Sequence, residues 1–531
     1  MEQSYSLVEK PWINVEMLDG TNKSVNLIDL FEHASEIKQI HGDNRAQDFA
    51  IFRLALAVLS TATYDQNLKD QDEILKYWQS LYEHKDVSKA ITYLKNNSDK
   101  FDFLGEHPFM QVNVRDYNTL VEPKKEITDK SIANAVKNGS LITPLSTINR
   151  NVAQSGSKIS AIAYPSIIHR NELSMSELVR WIITYQGYSG ATDKTKLKDP
   201  ATGKKAKYST NSGYLLNLVP VFIKGKNLAD TLLLNLVMLT KDLHYTKPRP
   251  IWDRNLTNEA TEFLSPEQPD NLAELCTYPS RMIHIDYSTG QPLVFMAGLP
   301  AFDINNLFTD PFTSYHWSTG LKAYRPNLLS KSHMNDAMWR DFGNYINTTT
   351  DDNHIPGIVE WIRILQDADI LPFNYKLNLA RIVAVKDGNA ASQLPIHVVS
   401  DDMTINTELT KNDEWLIWGP AIEDAINKAQ EIGKRGTYSF GKAFKPDQSS
   451  NLSEQYFTKL NKPFQDWLNS LSIDQDPDEK VSEWAEFCGK TAKDVINNYI
   501  KYNLAADEIR LIIRKQNIVF GIINKIVKGE V

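Results

Sequence analysis

From residue 402 to the end of this 531-residue chain, apolar side chains recur only at helical spacing, which leaves that stretch few ways to bury them. Phe457, Leu460, Phe464, Trp467, Leu468 and Leu471 form one stripe. It is interrupted by Pro463, which has no N–H to give and is expected to kink the helix. Trp484, Cys488, Ala492, Val495 and Tyr499 form a second stripe, Leu511, Ile512, Val519, Ile522 and Ile523 a third, and residues 415–432 supply a fourth. Four amphipathic helices on short connections pack most simply as an up-down bundle.

Residues 1–401 read differently. Short alternating runs around Asp19-Gly20 predict a hairpin, and Phe49, Phe52, Leu56 and Leu59 predict a helix over 46–64. Helical spacing also covers 26–37, 74–94, 174–188, where Ser174 and Glu177 form a capping box, and 229–239. Residues 99–113 read as a loop entering a strand, 136–160 as a long small-residue loop, and 216–223, 282–297 and 371–399 as strand-like runs. The expected fold class is therefore α+β: a mixed α/β body with long loops over 1–401, followed by an all-α four-helix bundle over 402–531.

Composition narrows the function classes. With 42% hydrophobic and 23% charged residues the chain is globular, and no run approaches the ~18 apolar residues of a membrane span. The first residues carry acids and no apolar signal core, so a cytoplasmic location and no membrane partner are expected. Cys276 and Cys488 stand alone, which predicts neither a disulfide framework nor a structural metal, and no cofactor fingerprint is present.

Within this acidic chain of net charge −8, residues 193–207 hold six lysines (Lys194, Lys196, Lys198, Lys204, Lys205 and Lys207) against two aspartates. The tract has few large apolar groups, so it is expected to be a mobile, solvated loop whose ammonium groups can meet phosphates. Lys224, Lys226, Arg381, Lys386 and Lys411 would join it only if the fold gathers them. Arg510, Arg514 and Lys515 on the last helix fit a solvated face better than a binding site.

No catalytic motif is complete. Residues 436–442 (GTYSFGK) approach a phosphate loop, but Ala443 stands where a Ser or Thr would hold Mg²⁺. His107 with Asp102 or Glu106 is the best candidate for a hydrolase or nuclease site dispersed through loops. A purely structural adaptor is the other competing class.

One family resembles this order of pieces. The Pro11-Trp12-Ile13 opening, Arg53-Leu54 in an early helix, the Glu-His-Pro-Phe-Met-Gln stretch from Glu106 to Gln111, the small-residue loop at 151–156 and the terminal bundle together resemble the CasA family, large subunits of type I-E CRISPR surveillance complexes (Cascade). The resemblance implies a non-catalytic subunit that meets the 5′ handle of the guide RNA and other complex subunits. It also implies recognition of a protospacer-adjacent motif (PAM) in duplex target DNA, help in opening it, and help in recruiting a helicase-nuclease. Carried over by residue, the guide-handle and PAM loop corresponds to Asn151, Val152, Ala153, Gln154, Ser155 and Gly156. The glycine lining the minor groove corresponds to Gly213. The wedge corresponds to Gly388, Asn389, Ala390, Ala391 and Ser392, where Ala390 replaces the family's glutamine and Gln393 offers a substitute. Some relatives carry a four-cysteine knuckle near residues 284–292, which this chain lacks.

Overall fold

The computed structural model describes residues 4–137, 148, 173–191, 194–210, 212–346, 353–372, 374–386, 394–410, 412–444, 449–503 and 509–530. Two compact units emerge: Met1–Asn335 with Pro356–Ala368 and Ala380–Ser400, and Asp336–Ile355 with Asp369–Leu379 and Asp401–Val531. The helical tail thus shares its unit with two upstream segments.

In the first unit, Ile13–Met17 pairs antiparallel with Asn22–Val25 through the predicted turn, where Gly20 takes φ +84° and Asp19 Oδ1 accepts the Thr21 amide at 2.9 Å. On its other edge Ile13–Met17 pairs with Ile37–Ile40. That strand falls at the end of the stretch expected to be helix, and the helix itself stops at Leu27–Glu32. Buried Ile37 and Ile40 stand three apart, the spacing of one helix face, whereas in the strand they point to opposite faces of the sheet.

The Arg45–Thr63 helix is the spine of this unit. Asn44 caps it by accepting the Gln47 amide at 3.0 Å, and every residue from Ala46 to Leu59 is buried. A helix buried all round needs neighbours on every side, and Ser88–Asn96, Met175–Tyr188 and Leu272–Thr277 pack against it. The capping box at Ser174 and Glu177 is present. The run over 74–94 divides into Gln71–His84 and Ser88–Asn96 at Lys85, which takes φ 51°. Residues 99–113 lead into a helix, Val114–Leu120, where a strand was expected.

The sheets are small. Arg281–Asp286 pairs antiparallel with Leu293–Gly298, and Tyr315–Ser318 with Ala323–Pro326. Lys376–Lys386 is the middle strand of a three-stranded sheet, between Val221–Ile223 and Pro395–Asn406.

The second unit is built on helices. Asn412–Glu431 passes into a π-helical stretch, Ile432–Tyr438, and on into Ser439–Phe444; Ser449–Ser470, Pro477–Asn503 and Ile509–Val527 follow. The Ser449–Ser470 helix continues across Pro463 without ending there. Trp339 stacks on Phe464 at 4.5 Å between centroids, and Phe464 meets Trp484 at 5.3 Å. The chain is thus a mixed α+β fold with a C-terminal helical bundle. The phosphate-loop look-alike lies wholly inside the π-helical stretch and the helix after it, with no strand leading into it.

Candidate nucleic-acid interface

The lysine tract is not the solvated loop that its composition predicts. Ala206 N donates to Leu197 O at 3.0 Å and Asp199 N to Lys204 O at 2.7 Å, so the segment folds back on itself as a two-stranded ribbon with Lys198 facing Lys205. Its turn is built from Asp199, whose carboxylate accepts the Ala201 amide at 2.8 Å and the Thr202 hydroxyl at 3.0 Å, and from Gly203 at φ +65°. The ribbon is also fastened along its edges. Lys198 N donates to Leu120 O at 2.8 Å, Glu122 N to Lys196 O at 2.9 Å, and Gly298 N to Thr195 O at 2.9 Å. Tyr208 adds a hydroxyl that receives the Leu197 amide at 2.8 Å and donates to Gly298 O at 2.6 Å. Burial pushes that phenol up to about 12, so it stays a donor at every physiological pH.

Composition misled because two apolar residues suffice when both are placed well. Leu197 is 1% exposed inside a cluster with Val121, Phe295 and Leu299, and Ala206 is also buried. Pleating sends Lys196, Lys198, Lys205 and Lys207 to the opposite face. Lys205 Nζ pairs with Glu122 Oε1 at 2.9 Å, and Lys196 Nζ donates to Tyr208 O. Lys194, Lys198, Lys204 and Lys207 have no side-chain partner among the described residues.

Gly213 follows the ribbon at a crossing of backbones. A Cβ there would stand 2.4 Å from Gly187 O, and Gly213 N donates to Ser189 O at 2.8 Å, so packing alone demands glycine. Asn217 Nδ2 donates to Gly213 O at 3.0 Å, while its Oδ1 accepts from Ser212 Oγ at 3.1 Å and from Lys386 Nζ at 2.6 Å. Lys386 is the last residue of its strand before the segment expected to form a wedge, and burial lowers its pKa. One amide, that of Asn217, therefore joins the Gly213 carbonyl to the strand end at Lys386, 169 residues beyond Asn217.

Beneath the crossing lies a buried ionic centre. Tyr214 donates its hydroxyl to Asp310 Oδ2, Asp310 Oδ1 accepts the Phe312 amide at 2.8 Å, and Arg53 Nη1 stands 4.0 Å from Asp310. Arg53 Nη2 donates to Leu275 O at 2.9 Å, and its guanidinium sits 5.8 Å from the Tyr214 ring centroid. Alongside, Arg281 donates to Gly190 O, and Gln186 Oε1 receives the Ser280 and Arg281 amides at 3.0 Å each. These contacts fix the helix end from which the lysine tract springs.

Other candidates scatter. Asn151, Val152, Ala153, Gln154, Ser155 and Gly156, the wedge residues Gly388, Asn389, Ala390, Ala391, Ser392 and Gln393, and Lys411 lie outside the described residues. The strands flanking the wedge segment, Lys376–Lys386 and Pro395–Asn406, are sheet neighbours joined by eight residues, too few for a parallel crossover. Arg381 is wholly buried and cannot join an exposed basic surface. Asp102 does not orient His107: its carboxylate accepts from Ser4 Oγ at 2.5 Å and from the Tyr5 and Leu104 amides at 2.9 Å each. Around His107, Phe109 stacks on Phe101 at 5.4 Å and Gln111 Nε2 donates to Phe103 O at 2.9 Å, a loop anchor beside a cavity of about 360 Å³. The 284–292 segment closes as a hairpin turn with Gly290 at φ +80°. Among the described residues no three His, Cys, Asp or Glu groups are placed to hold a metal ion, and no helix is long and apolar enough to cross a membrane. Sequence reading missed Glu122, Tyr208 and Asn217, whose side chains carry no motif and act only through contacts made in the fold.

No curated protein matches the chain. Among solved structures, Cse1 from Thermobifida fusca superposes with a TM-score of 0.79 at 21% identity, covering 99% of this chain and 98% of that one. Cse1 from Acidimicrobium ferrooxidans superposes with a TM-score of 0.75 at 20% identity, over 100% and 99% of the two chains. A chain of a CRISPR RNA-guided surveillance complex superposes with a TM-score of 0.67 at 16% identity, over 97% and 99%. At these identities the likeness establishes a shared fold. The family model described as CRISPR-associated protein Cse1 matches residues 6–495, nearly the whole length, and the chain therefore belongs to the Cse1 family.

Proposed function

We propose that this chain is the non-catalytic large subunit of a type I-E CRISPR RNA-guided surveillance complex. In this reading it meets the 5′ handle of the guide RNA through residues 151–156. It recognises the PAM of duplex target DNA near Gly213, starts strand separation with residues 388–393, and offers its helical unit to the other complex subunits and to a recruited helicase-nuclease. Guide pairing reads the sequence, and the protein needs only to read a short motif and grip phosphates.

The observation that carries the reading is the Asn217 amide, held at once by the Gly213 carbonyl and the Lys386 ammonium. Two segments 175 positions apart in sequence, Gly213 and Gly388, are both roles that the family resemblance assigns to the PAM end of the duplex. A residue that fixes one relative to the root of the other is what coupled recognition and opening require. Two further observations fit a role without chemistry: Asp102 is occupied by backbone amides, and the phosphate-loop look-alike is helical.

The test is the reconstituted complex carrying Asn217→Ala. Losing hydrogen bonds worth ~1 kcal/mol each is expected to slow PAM-dependent opening of a matched duplex about tenfold, with assembly on guide RNA unchanged. Opening at the wild-type rate would remove the coupling from the proposal.

A further inference from the structure

The lysine ribbon contains a contradiction that its own fold does not resolve. Antiparallel register puts Lys198 directly opposite Lys205, in the position between the two backbone hydrogen bonds at Leu197/Ala206 and Asp199/Lys204. Such non-hydrogen-bonded pairs bring side chains closest, with Cα atoms ~4.5 Å apart, and like charges placed so destabilise a sheet. The same register places Lys196 opposite Lys207, so four ammonium groups share one face. Carbonyl oxygens meet two of them, Tyr208 O accepting from Lys196 and Lys194 O from Lys205, but among the described residues the carboxylate paired with this face is that of Glu122. Its side chain is 11% exposed, and one oxygen, Oε1, accepts both Lys205 Nζ at 2.9 Å and the Lys196 backbone amide at 3.0 Å.

We propose that Glu122 is an internal competitor that occupies Lys205 until the phosphodiester backbone of duplex DNA docks on the Lys196, Lys198, Lys205 and Lys207 face and takes its place. The inference deepens the reading above and rests on it for the identity of the polyanion. A solvated loop would lose ordering entropy on each phosphate contact. The ribbon is already held by the Leu120, Glu122 and Gly298 backbones, so its charges meet a phosphate row without that loss. Successive lysines on one strand stand ~6.7 Å apart, and those on the two strands ~5 Å apart. These are point charges with no flat donor fork, so the contact is independent of base sequence. Glu122 subtracts one phosphate from what the face could bind unopposed, which lowers grip on random duplex while the ribbon waits for the PAM end to be engaged. Carboxylate is exchanged for phosphate and no bond is made or broken.

The experiment is fluorescence anisotropy with the purified full chain and a fluorescein-labelled DNA duplex over a potassium chloride series. Glu122→Gln keeps an oxygen for the Lys196 amide and removes the charge. It is expected to bind more tightly, with a salt slope steeper by ~0.9, the release expected for one further neutralised phosphate. The Lys198→Gln/Lys207→Gln pair, which leaves Glu122 untouched, is expected to flatten the slope by ~1.8. In a Lys205→Gln background the gain from Glu122→Gln is expected to vanish. An unchanged slope in Glu122→Gln, a gain that persists without Lys205, or an unaltered slope in the double-lysine variant each overturns the proposal. An equal gain on single-stranded RNA of the same length overturns the assignment to duplex DNA. Joining of the chain to the guide-RNA complex, measured in parallel, tests the subunit reading separately, because the salt slopes are read on the chain alone.

Discussion

The two units bury different things. In the first, Arg53, Arg180, Arg281, Asp310, Asp48, Asp230, Glu274 and Arg381 are all buried; in the second, no buried residue among those described carries a charge. The helical unit closes instead on rings, with Trp339, Phe464, Trp467 and Trp484 in mutual contact and their indole N–H groups given to Asn461, Lys480 O and Ala425 O. The reason lies in the backbone. A long helix satisfies its interior amides and carbonyls, whereas irregular segments and the last turn of a short helix, such as Leu272–Thr277, leave carbonyls that something must meet. Arg53 reaches Leu275 O, Arg180 reaches Trp12 O and Arg281 reaches Gly190 O. Buried guanidinium groups are thus how this chain holds loops still, and the loops at the candidate interface are among those held. The difference teaches that the first unit is specified by a few ionic anchors and the second by apolar shape.

Asp310→Ala is the strongest way to break that comparison. It strips Arg53 and Tyr214 of their shared carboxylate and leaves a buried cation unanswered, at a cost of about 3–5 kcal/mol in denaturant unfolding. A loss below about 1 kcal/mol would mean that the first unit does not depend on its anchors.

A pH experiment sharpens the same contrast. Burial lifts the Asp48 carboxyl from 3.8 to about 6, against the pull of the Gly42 amide and Arg45. The ionised form is therefore disfavoured by the fold, and stability is lost as pH rises from about 4 to about 6. Relative to wild type, Asp48→Asn is expected to be more favourable at pH 8 than at pH 4.5, by about 2 kcal/mol. Urea unfolding of both proteins at the two pH values checks it; a difference that does not change with pH counts against the shift.

The smallest effect belongs to the helical unit and tests shape alone. Gly433 lies in the π-helical stretch where a Cβ would stand 2.5 Å from the Phe457 ring. Gly433→Ala is expected to cost about 1–2 kcal/mol through overpacking, with no dependence on pH or salt. A salt-dependent loss would show that charge also matters in this unit.

The sequence was most legible where one face of an element meets one core. The four terminal helices, the Asp19-Gly20 hairpin and the Ser174 capping box all follow from periodicity and local chemistry. The Ile37–Ile40 strand was missed because its two buried isoleucines stand three apart, a helical spacing, and lie on opposite faces of a strand too short to show alternation. The Val114–Leu120 helix was missed because its start depends on Asn113 capping the Asp116 amide at 2.8 Å, a weak signal in a segment full of polar residues. Of the candidate interface, the lysines and Gly213 could be named in advance. That the lysine tract is an ordered ribbon could not, since its order comes from Leu120, Glu122 and Gly298, which lie 74 and more residues away.

By itself the sequence determined that this chain forms an α+β body and a helical bundle, and that its positive charge is concentrated before Gly213. Hydrophobic period and local charge are properties of neighbours along the chain, so they can be read without coordinates. Only the tertiary structure decided which lysines share a face, that Glu122 answers one of them, and that Asn217 joins Gly213 to Lys386. Those contacts pair residues far apart in sequence, and their energy depends on distance and burial, which no linear pattern encodes.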